Sequence, residues 1–143
     1  MSDIKKYNRF LAFDYGEKRT GVATGNLTMQ TTQALTVLSC HNDQPNWLDI
    51  ESIINEWQVE AFVVGLPLNM DGSEQEITIK AKKFGNRLHG RFGLPLFFHD
   101  ERLSSVEVKE YLFELGGYKK VCQDIDAYAA ELILKSFFAE NLY

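Results

Sequence analysis

Apolar positions along this chain recur with two periods, and the change from one to the other lays out the elements. Residues 9–15 (RFLAFDY) and 20–24 (TGVAT) are short apolar stretches separated by a charged turn that contains Gly16, which predicts a β-hairpin. Residues 35–39 (LTVLS) predict a third strand. Over 46–57 the period lengthens, and Trp47, Ile50, Ile53, Ile54 and Trp57 share one helical face. Residues 61–67 (AFVVGLP) form a continuous apolar run, as expected of a strand covered on both faces. Ser73 with Glu76 makes a capping box, predicting a helix from there to Arg91, with Gly85 inside it at ~1 kcal/mol relative to Ala. Residues 94–99 (LPLFFH) predict another strand. Ser104 with Glu107 opens a further helix whose apolar face is Val108, Leu112 and Leu115, with Gly116 as its stop. Residues 119–123 are a polar connection, and a last helix is predicted from Asp124 or Ile125 to Glu140.

The resulting order, β-β-β-α-β-α-β-α-α, predicts an α/β fold: a mixed five-stranded sheet, its first three strands antiparallel and the others parallel, flanked by helices. That order suits a ribonuclease H-like fold. The 143 residues are expected to form one domain, 1–143, large enough to bury a core. No apolar run approaches the ~18 residues of a membrane span, and the first ten residues hold no signal-peptide core, so a cytoplasmic protein is expected. Cys40 and Cys122 match no metal spacing and are expected to be reduced thiols.

The net charge of −5 argues against a nucleic-acid partner until its distribution is considered. Between Ile77 and His99 there is no acidic residue, while Lys80, Lys82, Lys83, Arg87 and Arg91 give that segment +5 and leave −10 to the rest. Lys80, Lys83, Arg87 and Arg91 follow spacings of 3, 4 and 4 and therefore line one helical stripe, a candidate phosphate-binding face.

Most carboxylates have structural explanations. Asp49, Glu51, Glu56 and Glu60 fit a solvated helix face and its exit; Glu76 and Glu107 are capping-box residues; Asp71, before Gly72, is a turn former. Three do not fit so simply. Asp14 and Glu101 sit at the C-terminal ends of strands, where α/β sheets place ligand crevices. Asp126 heads the stripe Ala130, Ile133, Phe137, the apolar face of the last helix, whereas Asp124 falls on the polar face and suits an N-cap. No basic residue shares the Asp126 stripe, and a carboxylate there needs a partner. A divalent cation would supply one, and hard oxygen donors without His or Cys select Mg²⁺ or Mn²⁺. Two such ions ~4 Å apart can clamp an in-line displacement at a phosphodiester.

The stretches FDYGEKRTGVA (13–23), VVGLPLNMDGS (63–73), FHDERLSSVEV (98–108), FELGGY (113–118) and DIDAYAAELIL (124–134) resemble, in order, the motif blocks of the YqgF/RuvX family over about residues 8–140. Members are called Holliday-junction-resolvase-like proteins or pre-16S rRNA nucleases. The resemblance implies a ribonuclease H-like nuclease of the bacterial cytoplasm acting in 5′ maturation of precursor 16S rRNA, with ribosome assembly intermediates as partners. Cleavage of branched DNA, or a non-catalytic RNA-binding role, are the alternatives. The family's acidic positions fall on Asp14, Glu101 and Asp126. Lys18, Arg19 and Arg102 lie in motif blocks as candidates for phosphate contact, and either arginine could pair with a neighbouring carboxylate instead. RuvC-type resolvases carry a further acidic residue three positions after the first on the final helix, where this chain has Ala129. In such a sheet Glu101 must reach Asp14 across an intervening strand, which leaves Asn69, Asp71 and Asp100 as competitors for the site. The oligomeric state is left open.

Overall fold

The computed structural model describes residues 4–103 and 125–141. The predicted helix from Ser104 to Leu115, the 119–123 connection, the Asp124 cap and Cys122 lie outside the described residues. The elements are β1 (Arg9–Asp14), β2 (Arg19–Asn26), β3 (Thr31–His41), β4 (Gln44–Pro45), α1 (Trp47–Trp57), β5 (Ala61–Leu66), α2 (Glu76–Phe92) and β6 (Leu96–Asp100). A short 3₁₀ turn, Glu101–Leu103, follows β6, and the last helix, α3, covers residues 125–140.

The sheet runs in the order β4-β3-β2-β1-β5-β6. β1, β2 and β3 are antiparallel, and β5 and β6 join β1 in parallel. This is the expected ribonuclease H-like arrangement with one strand more than predicted. The sixth, β4, is a two-residue edge pairing of Gln44 and Pro45 with β3, too short to leave a periodic signal. β3 is longer than predicted because Thr31 to Ala34 pair with β2 without apolar alternation.

Strand alternation divides the core into two layers. Leu11, Phe13, Val22, Phe62 and Val64 face α1 and α2, and Phe84 of α2 packs on Phe13, Tyr15 and Trp47. Phe10, Ala12, Ala61 and Val63 face α3, whose Ile133, Leu134, Phe137 and Phe138 are buried there. Gly85 in α2 has a packing role: a Cβ at that position would stand 2.7 Å from the Phe98 ring, so its absence lets α2 settle on β6.

The start of α2 differs from the predicted capping box. Ser73 is held in the preceding loop, donating from its backbone N–H and its hydroxyl to Asp71 Oδ1 at 2.9 and 2.6 Å. The helix is capped instead at Gln75, whose backbone N–H donates to Thr78 Oγ1 at 3.0 Å. Among the described residues no helix is long and apolar enough to cross a membrane.

Candidate active site

Asp14 follows Phe10 and Ala12 in the alternation of β1, so it faces the α3 layer at the C-terminal end of the strand. Its cross-strand partner is Gly21. A Cβ on Gly21 would stand 1.8 Å from the carbonyl oxygen of Asp126, so the first turn of α3 rests directly on the β2 backbone beside Asp14. On the other flank, a Cβ on Gly65 would meet Ile133 Cδ1 at 2.5 Å and both Cγ and Oε2 of Glu101 at 3.1 Å. The Glu101 carboxylate therefore lies over β5, the strand between its own and that of Asp14. Strands are ~4.8 Å apart, so Glu101 must cross two spacings, and the bare backbone of Gly65 gives it room to do so.

Alternation also assigns the neighbours of Glu101. His99 points into the α3 layer, where its Nε2 lies 3.0 Å from Ser136 Oγ. Phe98 packs towards α2 on the opposite face. Asp100 follows Phe98 and Glu101 follows His99.

Glu101 and Asp126 both act on Asp14. Asp14 is half-buried, and its pKa rises from 3.8 to about 7, first through burial and then through the charges of Glu101 and Asp126. Holding a carboxyl that far from its ordinary value costs the ionised form on the order of 4 kcal/mol. Asp126 sits where the helix-face spacing put it, above the buried Ala130, Ile133 and Phe137, and its side chain is 29% exposed. A basic partner does reach it, but from another element: Arg19 Nε at the start of β2 is 3.4 Å from Asp126 Oδ2. Arg19 precedes Gly21 by two residues and so faces the same layer.

The competing carboxylates are engaged elsewhere. Arg102 forks onto Asp100 with contacts of 2.6 to 3.1 Å and donates to the Met70 carbonyl at 3.1 Å. Those hydrogen bonds hold the Asp100 carboxyl below its ordinary range. The Ser73 hydroxyl and N–H do the same for Asp71. Asn69 Nδ2 donates to Ser73 Oγ at 2.9 Å, so Asn69, Asp71 and Ser73 together close the loop after β5.

The basic residues divide between the two faces. Lys18 and Arg19 are exposed at the β1–β2 turn, beside the carboxylates. The stripe Lys80, Lys83, Arg87, Arg91 lies on α2, across the sheet from α3. Within it Lys80 is ion-paired to Glu17 at 2.5 Å and to Asp43 at 3.4 Å, and the Arg91 guanidinium stacks 4.5 Å over the Trp47 ring. Lys83 and Arg87 are exposed.

Among the described residues no three His, Cys, Asp or Glu side chains stand in a ready-made ion-ligating group. The donor chemistry nevertheless suits a hard divalent cation. Asp14, Glu101 and Asp126 offer only oxygen, and a shared cation would relieve the repulsion that lifts Asp14.

Sequence reasoning missed Gly21 and Gly65, the residues that let the carboxylates approach. The available signal was glycine at an inward position of an otherwise apolar strand, which marks close approach by another chain segment.

A family model named RuvX and described as Holliday junction resolvase matches residues 8–140. A protein of Aeromonas salmonicida called "Putative pre-16S rRNA nuclease" is 50% identical over 132 residues, covering 92% of this chain and 94% of its own length. Proteins of the same name from Alcanivorax borkumensis and Haemophilus ducreyi are each 52% identical over at least 90% of this chain, covering 94% and 96% of their own lengths. Among solved structures, Thermus thermophilus RuvC in complex with a Holliday junction superposes with a TM-score of 0.63 at 12% identity, covering 95% of this chain and 96% of that one. A fowlpox virus resolvase in complex with junction DNA gives 0.54 at 11% identity, covering 94% and 99%. At those identities the likeness is one of fold.

Proposed function

The chain belongs to the RuvX family, and from that premise we propose that it is a metal-dependent endonuclease acting in the 5′ maturation of precursor 16S rRNA. It is a phosphodiester-hydrolysing nuclease by family. One observation supports the metal dependence above the others: a half-buried Asp14 crowded by Glu101 and Asp126, with its pKa raised to about 7. Carboxylates packed this way are stable together only with a proton or a cation among them.

In this reading Asp14, Glu101 and Asp126 hold Mg²⁺ or Mn²⁺. When bound, the ion polarises water for attack on a phosphodiester and neutralises charge on the leaving oxygen. The chain's own groups prepare that site. Gly21 and Gly65 keep the carboxylates close, and α3 covers the floor so that Asp14 is shielded from bulk water. Because the pKa of Asp14 is near neutrality, it releases a proton as the site loads, and metal affinity rises with pH up to about 7. Lys18 and Arg19, exposed at the rim, meet the phosphates nearest the cut. The exposed Lys83 and Arg87 of α2 serve a more distant part of the backbone, across the sheet. Arg102, forked onto Asp100, acts on the geometry of the Glu101 turn more than on phosphate.

The substrate reading follows the names of the relatives that share about half of this sequence. It also fits Ala129, which leaves the resolvase-type carboxylate position empty of charge. Such a substrate implies a cytoplasmic protein that meets ribosome assembly intermediates. The test is cleavage of a precursor 16S RNA carrying its 5′ extension, in Mg²⁺ and in Mn²⁺, in competition with four-way-junction DNA. The wild type is expected to cut the RNA, and Asp14→Asn to bind it without cutting. RNA bound but left intact by the wild type in both ions would overturn the catalytic reading and favour an adaptor. Junction DNA cut in preference to the RNA would overturn the substrate.

A further inference from the structure

We propose that Arg19 is a substrate-operated latch on Asp126, which couples metal binding to nucleic-acid binding. This inference rests on the metal-nuclease reading above. Its basis is that one guanidinium stands between two prospective partners. Arg19 Nε lies 3.4 Å from Asp126 Oδ2, while 61% of the Arg19 side chain is open to solvent. Among the described residues the Asp126 pair is its one ion pair, and that pair is made through Nε rather than the terminal amino groups. A guanidinium presents five N–H donors in a planar fork that matches phosphate oxygens, so an incoming phosphodiester competes directly for it.

The same contact withholds one carboxylate from a cation. While Arg19 engages Asp126, that oxygen is already charge-compensated, and a metal ion must displace the arginine to use it. An exposed arginine–carboxylate pair is weak, so the displacement is within reach of a better partner for either group. Phosphate drawing Arg19 away frees Asp126. The freed carboxylate then adds to the charge around Asp14, to which it already contributes, and raises the attraction for a divalent ion. The backbone of Asp126 need not move in this exchange, because it is seated on Gly21. Metal and nucleic acid therefore bind with positive coupling, and linkage makes the effect equal in both directions.

Lys5 separates this mechanism from a bulk charge effect. It is exposed and of the same charge, yet it lies in the Ile4–Lys6 turn before β1, at the end of that strand opposite Asp14.

The experiment is Mn²⁺ binding, followed by electron paramagnetic resonance of the free ion, with and without a phosphorothioate RNA oligonucleotide, which resists attack by water, read while gel analysis shows it intact. The wild type, Arg19→Gln, Arg19→Lys and Lys5→Gln are compared. For the wild type the oligonucleotide is expected to tighten Mn²⁺ binding by roughly fivefold or more. Arg19→Gln is expected to bind Mn²⁺ more tightly than the wild type without RNA and to lose most of the coupling. Lys5→Gln is expected to keep it. Arg19→Lys, a point charge without the planar fork, is expected to fall between. Mn²⁺ binding by Arg19→Gln that equals or falls below the wild type, or coupling that survives in it, overturns the latch while leaving the metal site intact. No Mn²⁺ binding by the wild type, with or without RNA, overturns the latch together with the metal-nuclease reading.

Discussion

Replacing Asp14 by Asn should make the metal-free protein more stable at alkaline pH while removing its activity. The folded state holds a proton on Asp14 up to about pH 7, whereas the unfolded chain releases it near 3.8. Between those values the native state binds more protons than the unfolded state, so stability falls as pH rises. The penalty is absent below 3.8 and complete above about 7, where it reaches on the order of 4 kcal/mol. Asn has nearly the same shape and cannot ionise. Allowing for partial solvent access and for the desolvation of the amide itself, the variant should gain roughly 2–3 kcal/mol at about pH 8. For a chain of this size that corresponds to a rise in Tm of roughly 5–10 °C. The assay is urea or thermal unfolding in EDTA at a series of pH values, followed by circular dichroism. The two curves should converge near pH 4 and separate as pH rises. Equal or lower stability of Asp14→Asn at the alkaline end, or a gap that does not grow with pH, would refute the electrostatic account of the site.

Adding Mg²⁺ or Mn²⁺ should reverse that ranking, since a ligand that binds only the native wild type stabilises it by mass action, about 4.1 kcal/mol at a thousandfold excess over Kd, and a thermal-shift titration reads this directly. Gly21→Ala puts a methyl group 1.8 Å from the Asp126 carbonyl and should cost roughly 3 kcal/mol or more, with loss of cleavage, measured by thermal melting beside the RNA assay. His99, whose pKa is lowered mainly by burial, contributes stability that is present above 6.5 and lost as pH falls below it; His99→Gln, which still offers Ser136 a hydrogen-bonding partner, should flatten that acid limb in the same unfolding series. Arg102→Ala should lower kcat more than it raises KM, because its guanidinium is tied to Asp100 and the Met70 carbonyl beside the Glu101 turn.

The layered plan was legible in the sequence because each main strand and helix carries its own period. Phe10 and Ala12 alternate with Leu11 and Phe13, and Ala130, Ile133 and Phe137 repeat along α3. The placement of Asp126 over that stripe followed from helical spacing alone. Details that depend on contact between distant segments were not legible. A Ser-x-x-Glu pattern suits a capping box, yet Ser73 was claimed by Asp71 two residues away, and the box moved to Gln75 and Thr78. The partner of Asp126 was sought along its own helix, but it came from β2, which only the packing of α3 on Gly21 brings near. By strand spacing Glu101 looked too far from Asp14, yet its carboxylate lies over Gly65 of the intervening strand, where the absence of a side chain, which no hydrophobic pattern records, makes room for it. The basic stripe was correct as a helical face, but its face is across the sheet from the carboxylates, a fact set by which side of the sheet α2 covers.

The central claim is that Asp14, Glu101 and Asp126 jointly hold a divalent ion. Its most direct test is anomalous diffraction from crystals of the full chain grown with Mn²⁺ and a non-cleavable RNA oligonucleotide. An anomalous peak bounded by the carboxylate oxygens of all three residues is the predicted result. Mn²⁺ bound elsewhere on the protein with no peak at Asp14 would contradict it.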